Sequence, residues 1–140
     1  IDKTQRALYA SDISAYAVED IEKNLQHAGL PFAVAFEQNN ALDVMPPAKS
    51  GVMICNPPYG ERIDVTTSNE TSVFFKQWAD HLKQHYAGWN AYILTSDRDT
   101  PKYMRLSASK KTPLFNGALD CRLFEFKMVA GSARKEKPTA

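Results

Sequence analysis

A doubly wound α/β sheet with an antiparallel edge is the fold class this sequence predicts, on three observations. Short apolar runs alternate with segments of helical period, several of those runs end in Asn or Asp, and the last third sets an Asn-Gly pair between two strand-like stretches. Parallel strands joined by helices produce the first pattern, and a hairpin at the sheet's edge produces the last.

The elements follow in order. "ALYASD" (7–12) is a short apolar run closed by an acid and suits a buried strand. In "SAYAVEDIEKNLQHAG" Val18, Ile21, Leu25 and Ala28 share one helical face, Ser14 is placed to cap the start, and Gly29 stands where a left-handed residue ends a helix. "PFAVAFEQ" (31–38) and "GVMICN" (51–56) read as buried strands separated by the polar, proline-bearing loop "NNALDVMPPAKS". Phe74, Trp78 and Leu82 recur at i+4 with Phe75, Ala79 and Tyr86 beside them, so a second helix runs to Gly88, and both tryptophans, Trp78 and Trp89, are expected to pack. "NAYILTSD" (90–97) is the next strand, a short helix covers about 101–106, and "TPLFNGALDCRLFEFKMV" folds back as a tight hairpin at Asn116-Gly117. The final "GSARKEKPTA" reads as a basic, frayed tail, giving a folded part over 1–130 and a tail over 131–140, with no repeat and no dividing linker.

Composition bounds the function classes. With 140 residues, 44% of them hydrophobic, the chain is one domain's worth and able to build a core. Two cysteines, Cys55 and Cys121, are too few for a disulfide framework, which favours a reduced, cytoplasmic setting. No apolar run approaches the roughly 18 residues that a membrane span needs, so no membrane partner is expected. The net charge of +1 hides an asymmetry: residues 1–70 hold five Lys/Arg against ten Asp/Glu, and residues 71–140 hold twelve against six. The basic half, densest at Lys102, Arg105, Lys110 and Lys111, suits a phosphate-bearing partner or simply a solvated face.

On a doubly wound sheet ligands bind beyond the carboxyl ends of the strands. Asp12, Asn39, Asn40, Asn56 and Asp97 all fall at or just past such ends, so this fold would set them along one rim. Within "GVMICNPPYGERI" a buried strand runs directly into Asn56, two stiff prolines and Tyr59. A bare Asn-Pro-Pro can be no more than a turn after a strand; likewise Asp12, two residues before Ser14, can be a helix-capping acid. His81 and His85 lie i,i+4 but lack an intervening glutamate, and no metal site is expected. Ser14, Ser96 and Ser107 have no nucleophile-elbow context.

The strand followed by "NPPYGER" is similar to the Asn-Pro-Pro-Tyr motif of S-adenosyl-L-methionine-dependent methyltransferases acting on exocyclic amines of nucleic-acid bases. That resemblance implies catalytic roles for Asn56, Pro57, Pro58 and Tyr59: side-chain and backbone carbonyls hold the amine, and the ring stacks on a flipped base. It implies a cofactor site at Asp12, Ile13, Asn40, Ala41 and Asn56, with Asp12 on the ribose hydroxyls. Asn40 stands where the family often carries an Asp for the adenine amine; its amide oxygen can accept the same bond. Together "NPPYGERI", "AGWNAYILTSD" and "LSASKKTPLFNGALDC" resemble more narrowly the catalytic domain of bacterial large-subunit (23S) ribosomal RNA guanine-N2 methyltransferases of the K/L type, over about residues 7–129. Members of that family carry an N-terminal RNA-binding THUMP domain. The implied partner is large-subunit ribosomal RNA, with Arg62, Lys110 and Lys111 as candidate RNA contacts; Glu61 and Arg62 otherwise order the loop after the motif.

The family's glycine-rich cofactor loop has no counterpart, since none of the six glycines lies within two residues of another. The expected object is therefore a Rossmann-like methyltransferase fragment that begins before the second sheet strand and lacks the first. Its natural partner is the missing N-terminal part of the same protein, and by itself it is expected to be inactive with little cofactor affinity. N6-adenine DNA methylation and a noncatalytic Rossmann-like binding fragment remain as alternatives.

Overall fold

Two short parallel strands and the helix that connects them form the first of two units into which the chain divides, one up to Pro47 and one from Ala48 on. The structure is a computed structural model that describes residues 8–57 and 68–129. In the first unit β1 (Tyr9–Asp12), α1 (Ala15–His27) and β2 (Ala35–Gln38) make a strand-helix-strand turn in which β1 pairs with β2 from Tyr9↔Ala35 to Asp12↔Gln38. Ser14 is the N-cap of α1, its Oγ accepting from the Ala17 N–H at 3.3 Å, and Gly29 takes a φ of +75° just past the C-cap. Val18, Ile21 and Leu25 are half-buried as their spacing predicts, whereas Ala28, at the helix end, is exposed.

The second unit carries β3 (Gly51–Cys55), α2 (Ser68–His85), β4 (Trp89–Thr95), α3 (Thr100–Met104), β5 (Lys110–Asn116) and β6 (Leu119–Lys127), with strand order β3-β4-β6-β5. β3 and β4 are parallel; β6 is antiparallel to both β4 and β5, the predicted antiparallel edge. The hairpin lies one residue later than predicted, because Asn116 still pairs with Leu119 and the loop is Gly117-Ala118. Only the first of those loop residues has positive φ, +64° at Gly117, the arrangement of a type II′ turn that matches strand twist.

The core lies in this unit. Phe75, Trp78, Ala79, Leu82 and Tyr86 of α2 are buried, as are Trp89, Ala91, Ile93 and Thr95 of β4 and Phe124 and Phe126 of β6. Each fully buried large side chain contributes about 1.5–3 kcal/mol. Both tryptophans pack as expected.

The fully buried character expected of the first three strands is not realised. Residues in β1 and β2 are exposed or half-buried, and on β3 Val52 and Ile54 are 61% and 77% exposed. A parallel strand becomes doubly buried only between two neighbours and under cover on both faces. Among the described residues β1 pairs only with β2, and β3 only with β4. Cys55 is accordingly half-buried, whereas Cys121 is fully buried. No helix among the described residues is long and apolar enough to cross a membrane.

Gly51 answers a packing demand. It pairs with Trp89, and a Cβ built on it would lie 2.6 Å from the indole Cζ3. The indole has little freedom to retreat: its Nε1–H donates to the Ala48 carbonyl at 3.1 Å, and its ring meets Tyr86 edge-on at 5.5 Å. Gly51→Ala is expected to destabilise the fold by about 1–3 kcal/mol through overpacking. Denaturant midpoints check it, and Trp89→Phe placed in the Gly51→Ala background should recover part of the loss.

Candidate active site

In the first unit the strand-end residues come together as predicted. Asp12 closes β1 beside Gln38, and its carbonyl accepts from the Asn39 N–H at 3.0 Å, which brings Asn39 and Asn40 to the same end of the parallel pair. Asp12 Oδ1 accepts from the Ser14 N–H at 2.8 Å, so this carboxylate does order the start of α1. Its Oδ2 has no partner among the described residues. The helix-ordering and ligand-binding readings are thus compatible: one oxygen anchors the group and leaves the other to accept from a ligand hydroxyl. Ile13 is 65% exposed, and its carbonyl accepts from Gln38 Nε2 at 3.1 Å.

Asn40 is more committed than its sequence position suggests. Its Oδ1 accepts from the Leu42 N–H at 2.9 Å, its own N–H donates to Asn39 Oδ1 at 2.8 Å, and its carbonyl accepts from the Asp43 N–H at 2.8 Å. These bonds close a turn around Ala41. The amide oxygen keeps one lone pair, and Nδ2 has no partner among the described residues.

In the second unit the parallel register Cys55↔Ile93 sets Asn56 at the same edge as the end of β4. Asn56 is exposed and Pro57, next to it, is buried, so the chain is pinned immediately after the amide. Asn56 makes no side-chain hydrogen bond among the described residues. Pro58, Tyr59, Glu61 and Arg62 lie outside the described residues. Asp97, also on the predicted rim, is given over to the turn into α3: its Oδ1 accepts from the Asp99 N–H at 2.9 Å, its N–H donates to Thr95 Oγ1 at 3.1 Å, and its carbonyl accepts from the Thr100 hydroxyl at 2.7 Å. Burial, and then the Asp97 carboxylate, raise the Tyr103 phenol above its ordinary range.

The two candidate RNA lysines part company. Neighbours on a strand point to opposite faces. Lys111 pairs with Phe124 and shares the helix-covered face, where Lys111, Lys102 and Arg105 line one cavity. Lys110 pairs with Glu125 on the other face. Glu125 Oε1 accepts from the Ser109 hydroxyl at 2.6 Å and its Oε2 from the Tyr92 hydroxyl. The Ser109 bond first, then the Tyr92 bond and the nearby lysines, hold its carboxyl below the usual range; the Tyr92 phenol is raised in return. Arg105 was visible only as a member of a basic run. The added signal was a helix end without glycine, "YMRLS", which leaves a bulky residue to take the left-handed cap.

The hairpin "NGALDC" proves structural: Asp120 accepts from Arg122 Nη1 at 2.6 Å and Arg98 Nη2 at 3.1 Å, the former bond chiefly lowering its carboxyl, and Cys121 is fully buried. The His81 and His85 rings lie 4.8 Å apart, and no group of three metal-ligating side chains occurs among the described residues.

Comparison with known proteins bears on this arrangement. Over residues 2–125 the chain matches the family described as RMKL-like, methyltransferase domain. It is 37% identical over 130 residues to a protein of Shewanella sp. (strain ANA-3) named ribosomal RNA large subunit methyltransferase K/L, covering 93% of this chain and 18% of that one. The protein of the same name from Shewanella loihica is 36% identical over 131 residues, 94% of this chain and 18% of its own. The chain thus spans less than a fifth of the length of these curated relatives. Among solved structures it resembles SMU.472, assigned as a methyltransferase and complexed with SAH, with a TM-score of 0.80, 29% identity and coverage of 88% of this chain and 32% of that one. It also resembles a predicted N6-adenine-specific DNA methylase from Listeria monocytogenes str. 4b F2365, with a TM-score of 0.71, 25% identity and coverage of 84% and 29%.

The helix-ordering role of Asp12 can be tested by itself. Asp12→Ala removes the acceptor for the Ser14 N–H and should lower stability by about 0.5–2 kcal/mol, as other losses at helix starts do. Asp12→Asn keeps an oxygen there and should be nearly neutral in the same thermal or denaturant measurement.

Proposed function

Because the chain belongs to the RMKL-like methyltransferase domain family and shares the α/β methyltransferase fold with its antiparallel C-terminal strands, we propose that it supplies part of a site transferring a methyl group from S-adenosyl-L-methionine to the exocyclic N2 amine of guanine in large-subunit ribosomal RNA. The observation that carries this reading is Asn56, exposed and without a side-chain hydrogen bond among the described residues, immediately after a parallel strand and before the buried Pro57. An exposed amide that the described residues hold in place without engaging can act on a ligand.

The first unit fits the adenosine end of the cofactor. Vicinal ribose hydroxyls are donors, and Asp12 Oδ2 is an anchored acceptor. Adenine offers both an amine and ring-nitrogen acceptors, and Asn40 retains one oxygen lone pair and its Nδ2, with the exposed Ile13 and the turn at Ala41 beside them. Bound S-adenosyl-L-methionine supplies an electrophilic methyl on a sulfonium. With no glycine-rich turn in the sequence, residues 1–140 by themselves are expected to bind it weakly.

The chain's own residues act on the nucleobase. A nucleobase amine is a poor nucleophile because its lone pair is delocalised into the ring. Asn56 Oδ1 and the Pro57 carbonyl accept its two N–H bonds, turn the lone pair out of conjugation, and stabilise the positive charge that builds on nitrogen. Tyr59 stacks on the flipped base, and Pro58 stiffens the loop between them. Arg62, Lys110 and Lys111 are the candidate phosphate contacts.

Asn56→Ala in the intact protein should slow single-turnover methyl transfer at saturating S-adenosyl-L-methionine by about 10²- to 10³-fold. Normal transfer would reduce Asn-Pro-Pro to a turn. Asp12→Asn, neutral for stability, should weaken S-adenosyl-L-methionine binding measured by calorimetry by about 1.5–3 kcal/mol, the worth of hydrogen bonds to a charged group. Mass mapping of nucleosides from cells lacking the gene decides the substrate: loss of a guanine mark in ribosomal RNA is expected, and loss of an adenine mark in DNA with ribosomal guanines untouched overturns the assignment.

A further inference from the structure

Where α3 ends and β5 begins, the surface sinks into a cavity of about 450 Å³, within the roughly 300–1,000 Å³ range of ligand pockets. Lys102, Arg105 and Lys111 line it together with Ser107, and among the described residues no carboxylate does; Pro101 and Leu106 form its apolar wall. Lys102 has an exposed partner in Asp99, 3.5 Å away. Arg105 and Lys111 have no ion pair among the described residues. The N–H groups of Ser107 and Ala108, also in the lining, donate to no group among the described residues, whereas those of Arg105 and Leu106 close the helix end on Lys102 and Pro101. Three cations, a hydroxyl and two available amides around one hollow make a donor set that selects an anion.

The backbone points the same way. Arg105 occupies the left-handed region, φ 54° and ψ 40°, the only non-glycine residue among those described to do so. This is a cap position that glycine fills without strain. A side chain held there against that cost presents a guanidinium to the hollow, and the planar guanidinium is the cation best matched to phosphate oxygens.

We propose that this cavity binds a phosphodiester of the RNA strand, with the attached nucleoside resting on Pro101 and Leu106. The proposal rests on the assignment of RNA as substrate. Register sets its place: Lys111 pairs with Phe124, Phe124 with Ile93, and Ile93 with Cys55. Three strand spacings, about 14 Å in all, thus separate this cavity from the end of β3 that carries Asn56, and a strand of a few nucleotides covers that distance. The site would hold the RNA beside the target base, not the base itself.

The test is equilibrium binding of a single-stranded RNA of large-subunit ribosomal sequence to the intact protein, between about 50 and 200 mM salt. Arg105→Gly and Lys111→Gln should each weaken binding about tenfold and lower the slope of log affinity against log salt by about 0.7. Arg105→Lys should fall between, since it keeps charge and loses the fork. Glycine relieves the left-handed strain, so Arg105→Gly should melt at or above the wild-type temperature, and cofactor affinity should not move in any variant. Unchanged affinity and slope in both Arg105→Gly and Lys111→Gln overturn the proposal, as does a loss of affinity that merely follows a loss of melting temperature in both. Inorganic phosphate shifting the resonances of these side chains while the RNA slope stays unchanged would mark a free-anion site and overturn it equally. Asn56→Ala separates this proposal from the one it rests on: loss of transfer there with wild-type slopes in the cavity variants sinks the cavity alone, and normal transfer there with lowered slopes sinks the catalytic assignment alone.

Discussion

The alternation of β4 under α2 governs the second unit. Trp89, Ala91, Ile93 and Thr95 point one way along the strand and are buried, together with the α2 stripe from Phe75 to Tyr86 and with Phe124 and Phe126 across the antiparallel pairing. Side chains on a strand repeat every second residue, so a one-residue slip would carry that whole set to the opposite face. The register is therefore held by the core, and the core in turn sets which residues stand at the strand ends. Gly51 belongs to the same constraint, because only a residue without Cβ lies beside the Trp89 indole.

Within each unit the polar groups divide their labour. Asp12 and Asn40 each give one oxygen to a neighbouring backbone N–H, which orients the side chain, while its other atom has no partner among the described residues. Asp97 gives its groups to the turn into α3, and Asp120 is taken by two arginines. Asn56 has no such tie among the described residues. Residues that look equivalent in the sequence, all acids or amides after apolar runs, differ in how much of their hydrogen-bonding capacity the local backbone consumes.

Basic residues divide by the same geometry. Lys110 and Lys111 are adjacent in the chain, yet strand parity sends one toward Glu125 and the other to the hollow shared with Lys102 and Arg105. Charge density along a sequence is blind to that parity until the strand and its partner are known. Exposed pairs such as Lys102 with Asp99 contribute little to stability, about 0–1 kcal/mol at most, so the lysines of this face are free to serve binding.

The sequence by itself determined the elements and their kind. Periods of 3.6 and 2, Ser14 and Gly29 bracketing α1, Gly88 after α2 and the Asn-Gly signal of the hairpin are local, since caps, turns and amphipathic faces are written within a few residues. The motif around Asn56 was legible for the same reason. Tertiary structure alone decided what depends on partners distant in the chain. It showed that, among the described residues, β1, β2 and β3 lack the double cover their composition suits and Asp12 orders a helix through one oxygen while the other has no partner, that Asn40 is half spent on its own turn, and that Arg105 stands in a left-handed cap beside Lys111. Burial, hydrogen-bond satisfaction and the company a charge keeps are properties of what folds against a residue, and no local pattern encodes them.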